Sequence, residues 1–198
     1  MVVVPDQGLV VVFTAGHQQD PFDVKLIMQS FFFEAASPYV LPDHPEGVTR
    51  LNDKVLAVGE APEPEPVPAL PEIALTISGK TFEMLEMENQ LGWKEVKLTF
   101  PGGSEASFFL VAEGLEIEFP VGLDGLFRIP SEESGFPEEF LVAMRGWWET
   151  ENIFQLEYDV VYGMERNILL FVFEGDLLEV QVITPQGSIT LAKGVIRE

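Results

Sequence analysis

The sequence has no cysteine, so disulfide bridges, thiolate nucleophiles and cysteine-bound metals are all excluded. Basic residues are scarce, with 11 Lys and Arg against 33 Asp and Glu and a net charge of −22. A surface of that sign repels phosphates, which argues against nucleic-acid binding and against docking on anionic membranes. No apolar run reaches the length of a membrane span. Met1 to Phe13 is apolar but carries Pro5 and Asp6 and lacks a basic leader, so it does not read as a signal peptide. The two histidines, His17 and His44, are far apart and fall in expected loops, without the paired spacing of a zinc helix. The acids Glu132, Glu133, Glu138 and Glu139 lack the order of a calcium loop, so no metal or cofactor is expected.

What the chain does have is apolar mass and alternation. Nearly half of its 198 residues are apolar and sixteen are Phe, enough for one good core. Val2–Val4 and Leu9–Phe13 read as two short strands, joined by the turn residues Pro5-Asp6-Gln7-Gly8. Asp20-Pro21 then opens a helix, with Asp23 in its first turn and Ser37-Pro38 at its end. Val24, Ile27, Met28, Phe31 and Ala35 make one face, and Leu26, Phe32 and Phe33 lie beyond it, a pattern that predicts burial. Residues 42–70 change character. Asp43, Pro45 and Gly47 look like breakers, and Gly59 to Pro66 alternates proline with acid, so the segment reads as an extended linker.

From Pro71 onward the period is two. Ile73, Leu75 and Ile77 alternate, as do Val96, Leu98 and Phe100, then Leu115, Ile117 and Phe119 with Glu116 and Glu118 facing water. Gly122 to Ile129 suggests a short strand around Phe127. In the C-terminal stretch, Phe154, Leu156, Tyr158 and Val160 alternate with Gln155, Glu157 and Asp159; Ile168–Phe173 is apolar on both faces. Turns at Glu174-Gly175-Asp176 and Pro185-Gln186-Gly187-Ser188 complete a meander. The expected fold is mainly β: an antiparallel barrel or sandwich of about eight to ten strands over 71–198, after a hairpin and one helix in 1–41 and the linker 42–70.

Three constellations bear on chemistry. Ala74 to Thr81 (ALTISGKT) fits the loose form of a phosphate-binding loop, but no strand–helix alternation follows it and the acid excess opposes a triphosphate, so a plain turn is the better reading. No Ser-x-x-Lys, Gly-x-Ser-x-Gly or Tyr-x-Asn occurs, so no serine nucleophile has its base. Arg128, Arg145, Trp147 and Trp148 stand out because arginine is rare here. Inside a barrel they could hold a small anion or amphiphile; alternatively each Arg pairs with an acid and the Trp rings fill the core.

The segment Val3 to Gly16 (VVPDQGLVVVFTAG), followed by a helix and Leu41-Pro42, resembles the end of the catalytic domain of β-lactamase-related, penicillin-binding-protein-like serine hydrolases. The strings ISGKTFEMLEMENQLGWKEVKLTF, VGLDGLFRIP and AMRGWWETENIFQLEYD resemble the lipocalin-like β domain that follows it in some bacterial members. The resemblance implies a non-catalytic accessory region. The family's Ser-x-x-Lys, Tyr-x-Asn and closing triplet would lie upstream of Met1, and Lys80-Thr81-Phe82 is not a Lys-Thr-Gly triplet. It also implies partners for residues 1–41, either the missing catalytic domain or a second copy. Three classes follow: accessory region, independent binder of a small apolar or anionic molecule, and phosphate-loop enzyme.

Overall fold

The computed structural model describes residues 1–12, 24–35, 37, 39–40, 42–131, 141–161, 166–184 and 187–197. It divides into two compact units, Met1–Pro62 and Glu63–Glu198.

In the first unit, β1 (Val2–Val4) and β2 (Leu9–Val11) form an antiparallel hairpin with Val2 opposite Val11. Pro5–Gln7 makes one 3₁₀ turn that ends at Gly8, whose φ of 60° is the left-handed conformation glycine adopts without strain. The expected caps Asp20, Pro21 and Asp23 lie outside the described residues. Helix α1 (Val24–Ile27) runs into a π-helical segment, Met28–Phe33. The wider π turn breaks the 3.6-residue stripe, and the expected buried face does not form. Met28 is buried, whereas Leu26 and Phe31 are 60% and 68% exposed.

A further helix, α2 (Pro45–Gly59), occupies half of the segment expected to be extended. Its start corrects the reading of Pro45 and Gly47 as breakers. Pro at the first helical position gives up an N–H that has no partner anyway. The His44 Nδ1 accepts from the Gly47 N–H at 2.7 Å, so this histidine is a helix cap and not a loop residue.

The second unit opens with another difference. Ile73, Leu75 and Ile77 lie on a helix, α3 (Glu72–Ile77), not on a strand. Over six residues, apolar positions 73, 74 and 77 satisfy a helical period as well as 73, 75 and 77 satisfy a strand, and packing decides between them. Ala74 and Ile77 are fully buried while Leu75 is exposed. The helix closes one end of a barrel, tied on by the Gly79 N–H to the Leu98 carbonyl (2.9 Å) and the Phe100 N–H to Ser78 Oγ (2.8 Å). This helix–turn–strand order is the reverse of a phosphate-binding loop, and the barrel it joins eliminates that enzyme class.

Nine strands make the closed wall: β3 (Thr81–Asn89), β4 (Trp93–Thr99), β5 (Glu105–Ala112), β6 (Leu115–Gly122), β7 (Val142–Trp148), β8 (Ile153–Val160), β9 (Arg166–Glu174), β10 (Leu177–Thr184) and β11 (Gly187–Ile196). They are neighbours in chain order, and β11 returns to β3. An odd number of strands cannot alternate direction all the way round, so one pair must be parallel. That pair is β6 and β7, which meet only at Gly122 and Arg145. Pro120 in β6, with no N–H to give, marks the strand as having one weak side. The stretch expected as a strand around Phe127 instead folds back at this seam, where Arg128 bridges Met144 by two backbone hydrogen bonds of 2.8 Å.

The core fills the barrel with the inward residues of every strand, among them Phe82, Val96, Leu98, Phe154, Leu156, Phe171, Leu178 and Val180. At the α3 end, Phe82, Phe100, Trp148, Phe154 and Phe173 form an aromatic cluster with ring centroids 5.2–5.8 Å apart. That end is packed shut. Among the described residues, no helix is long and apolar enough to cross a membrane.

Candidate functional site

The opposite end of the barrel is hollow. A cavity of about 310 Å³ lies where β3, β5, β8 and β10 finish and β4, β7, β9 and β11 begin. Its floor is buried and apolar: Phe108 and Phe119, stacked at 6.1 Å, with Leu156 and Leu169. Phe108 touches two further rings, Trp93 at 5.8 Å and Phe171 at 5.6 Å. The mouth is half-exposed and mixed, with Leu91, Trp93, Val142, Val182 and Leu191 around Tyr158 and Asn167. Tyr158 and Asn167 face each other across β8 and β9, which sets a hydroxyl and an amide side by side at the opening. This is the usual make-up of a small-molecule site: an apolar body with a few polar groups at one end.

Strand parity explains most of the lining. Leu156 and Tyr158, two apart on β8, point inward with Phe154, as the alternation in the sequence predicts. Trp93 breaks the rule. By parity with Val96 and Leu98 it would face outward, but between Trp93 and Glu95 the β4–β5 register shifts by one residue. That bulge turns the indole into the cavity. A second bulge, between Val180 and Gln181 in the β10–β11 pairing, gives β11 an extra residue and brings Leu191 to the mouth.

The arginines singled out by the sequence lie elsewhere, on the outer face of the β6–β7 seam. Arg128 donates from Nη2 to Asp124 at 2.8 Å, from Nε to Glu105 at 3.2 Å and from Nη1 to the Leu126 carbonyl. The Arg128 hydrogen bond holds the Asp124 carboxyl below its ordinary pKa, against the opposing effect of burial, and the same pair raises Arg128. Arg145 donates from Nε to Glu157 at 2.6 Å and from Nη1 to the Gly125 carbonyl at 2.9 Å, with its guanidinium 4.7 Å from the Phe127 ring centre. Both side chains staple the returning segment 124–128 to the wall where strand pairing is weakest. Gln155 and Glu157, polar positions of the β8 alternation, are buried on this outer face. Trp147 is exposed and borders a separate hollow of about 50 Å³ with Val67, Leu70 and Leu123. Trp148 turns inward to the aromatic cluster. None of Arg128, Arg145 and Trp147 lines the cavity floored by Phe108 and Phe119.

Beside the mouth, β3 leaves its neighbours. Its pairing with β11 jumps from Met84–Gly194 to Asn89–Ala192, so four residues of β3 face one of β11. Met87 at the crest of this bulge is 96% exposed. Lys193, opposite it, is held by Glu88 at 3.2 Å and Glu179 at 3.4 Å, which raises its pKa. Glu179 in turn is lowered, first by the Gln181 amide and then by Lys193. The His, Asp and Glu side chains among the described residues form no group that could hold a metal ion. His17 and the acids 132–139 lie outside the described residues.

No family model matches the sequence, nor does any curated protein. Among solved structures, the chain is similar to As-p18, an extracellular fatty acid binding protein, with a TM-score of 0.44 and 12% identity over 66% of this chain and 100% of that one.

Proposed function

We propose that residues 63–198 form a binding module for a small, largely apolar molecule held in the 310 Å³ cavity. The observation that carries the reading is the asymmetry of the barrel: one end is packed solid with aromatic rings, while the other is left open over an apolar floor. A core free to collapse would fill such a hollow, since unfilled volume destabilises by roughly 24 cal/mol per Å³. The volume holds on the order of ten groups the size of a water molecule. An alkyl chain of roughly eight to ten carbons would gain about 6–8 kcal/mol on entry, at ~0.8 kcal/mol per methylene. Association costs of at least about 4 kcal/mol leave about 2–4 kcal/mol, dissociation constants of the millimolar to tens-of-millimolar order.

The test is titration with the neutral dye N-phenyl-1-naphthylamine. One equivalent is expected to bind and brighten, with transfer from Trp93. Absence of saturable 1:1 binding, or binding unaffected when the mouth is narrowed by Val182→Trp, refutes the reading.

A second reading keeps the serine-hydrolase resemblance: the chain as a non-catalytic accessory region. It is favoured by the apolar residues exposed in the first unit, Val3, Val10, Val12 and Phe31, which suit a surface made to pack on other polypeptide. It requires that this chain alone turn over neither a chromogenic ester nor a β-lactam. Measured turnover would refute it.

A further inference from the structure

We infer that the molecule the cavity accepts is not an anion: its polar end is cationic or, less tightly held, uncharged. The inference rests on the binding reading above and adds the chemical class of the ligand. Every lining side chain is uncharged, and the polar groups at the opening are the Tyr158 hydroxyl, the Asn167 amide and the Trp93 indole N–H. A carboxylate or phosphate placed there would shed water without meeting a cation, which is costly for a buried charge.

Around the mouth the described charges are mostly negative. Glu86 and Glu88 stand on the β3 bulge, Glu113 in the β5–β6 turn, Glu116 at the start of β6 and Asp159 near the end of β8. Against these stand Lys94, exposed at the start of β4, Lys193, and Arg166, which opens β9 opposite Asp159 in the strand register. Lys193 is already engaged by two carboxylates, Glu88 and Glu179, so it has little left to offer an incoming anion. The net charge of −22 adds a long-range field of the same sign. A cationic head meets net attraction at this rim, while its alkyl tail finds the apolar floor.

Three probes of equal chain length separate the effects: decyltrimethylammonium, decanol and decanoate. Each is used below micelle formation to displace the neutral dye from the full chain. At about 10 mM salt, where the Debye length is roughly 30 Å, the cation should bind at least tenfold more tightly than decanoate, with decanol between them. At 1 M salt, where that length is roughly 3 Å, the gap should shrink several-fold. Decanoate binding as tightly as the cation would overturn the inference and leave the binding reading standing. Failure of all three to displace the dye would remove the binding reading itself. Non-specific attraction of the cation to the acidic surface is checked with Val182→Trp and Leu191→Trp, each confirmed folded by circular dichroism. Cation binding unchanged in both would also overturn the inference.

Discussion

Phe108 and Phe109 are adjacent on β5 and point to opposite sides of the wall, so replacing each by alanine tests both the barrel and its cavity. Phe108 is 2% exposed, contacts Trp93, Phe119 and Phe171, and forms the cavity floor. Phe→Ala in a core costs about 3–5 kcal/mol, and aromatic pairs add roughly 0.5–1.5 kcal/mol each beyond burial. The loss for Phe108→Ala should therefore sit near the top of that range, about 4–5 kcal/mol. Phe109 is half-exposed and lies under Lys97, whose Nζ is 4.5 Å from the ring centre. Its truncation removes a partly solvated cation–π contact and some covered surface, about 1–2 kcal/mol. For a unit of this size each kcal/mol shifts Tm by roughly 2–5 °C, so the two variants should differ by about 10 °C in calorimetry. Phe108→Ala should also lengthen the alkyl chain that binds best, because the void it leaves joins the existing cavity. Equal losses for the two variants would refute the inward and outward assignment on β5. A large loss for Phe108→Ala with no change in chain-length preference would instead show that the cavity is not the binding site.

Two other perturbations test the seam and the closed end. A Cβ at Gly146 would stand 2.4 Å from Phe154 Cζ and 2.8 Å from the Gln155 carbonyl oxygen, and the carbonyl belongs to the neighbouring strand's backbone. Gly146→Ala should therefore destabilise by about 1–3 kcal/mol, read as a lower denaturation midpoint, and a neutral or stabilising result would contradict the close approach of β7 and β8. Because Asp124 is held below its ordinary pKa of 3.8, its pairing with Arg128 stabilises the fold above that value and is lost as pH falls through the lowered one. Asp124→Asn should lower stability at pH 7 by roughly 1–3 kcal/mol, since Arg128 keeps Glu105 and some solvent, and flatten the acid limb of the stability curve below about pH 4; an unchanged acid limb would show that Asp124 is not the clamp.

The sequence carried the strands of the wall because burial on one face of a strand is a local, period-two signal. Val96, Leu98, Phe119, Phe154 and Leu156 needed no tertiary knowledge to be placed in the core. The hairpin Val2–Val11 and the turns at Gly114 and Gly175 were legible for a similar reason: short-range backbone geometry demands those residues. The site was legible only in part. Tyr158 lies in the alternating run, but nothing local says that it ends at a hollow instead of a packed layer. Trp93 reaches the cavity through a bulge, which is a property of pairing between two strands and leaves the composition of either one unchanged.

Arg128 and Arg145 were conspicuous for their rarity, yet their partners Asp124, Glu105 and Glu157 come together only because a nine-stranded wall must contain one parallel seam. That requirement is a matter of counting strands around a closed ring. The helix α3 was decided the same way, since six residues fit either period and covering the barrel end at the aromatic cluster favoured the compact form. Periodicity thus determined which residues are apolar-in and that strands enclose them. Closure, register and the unfilled end came from the tertiary structure alone, because each depends on strands far apart in the chain meeting one another.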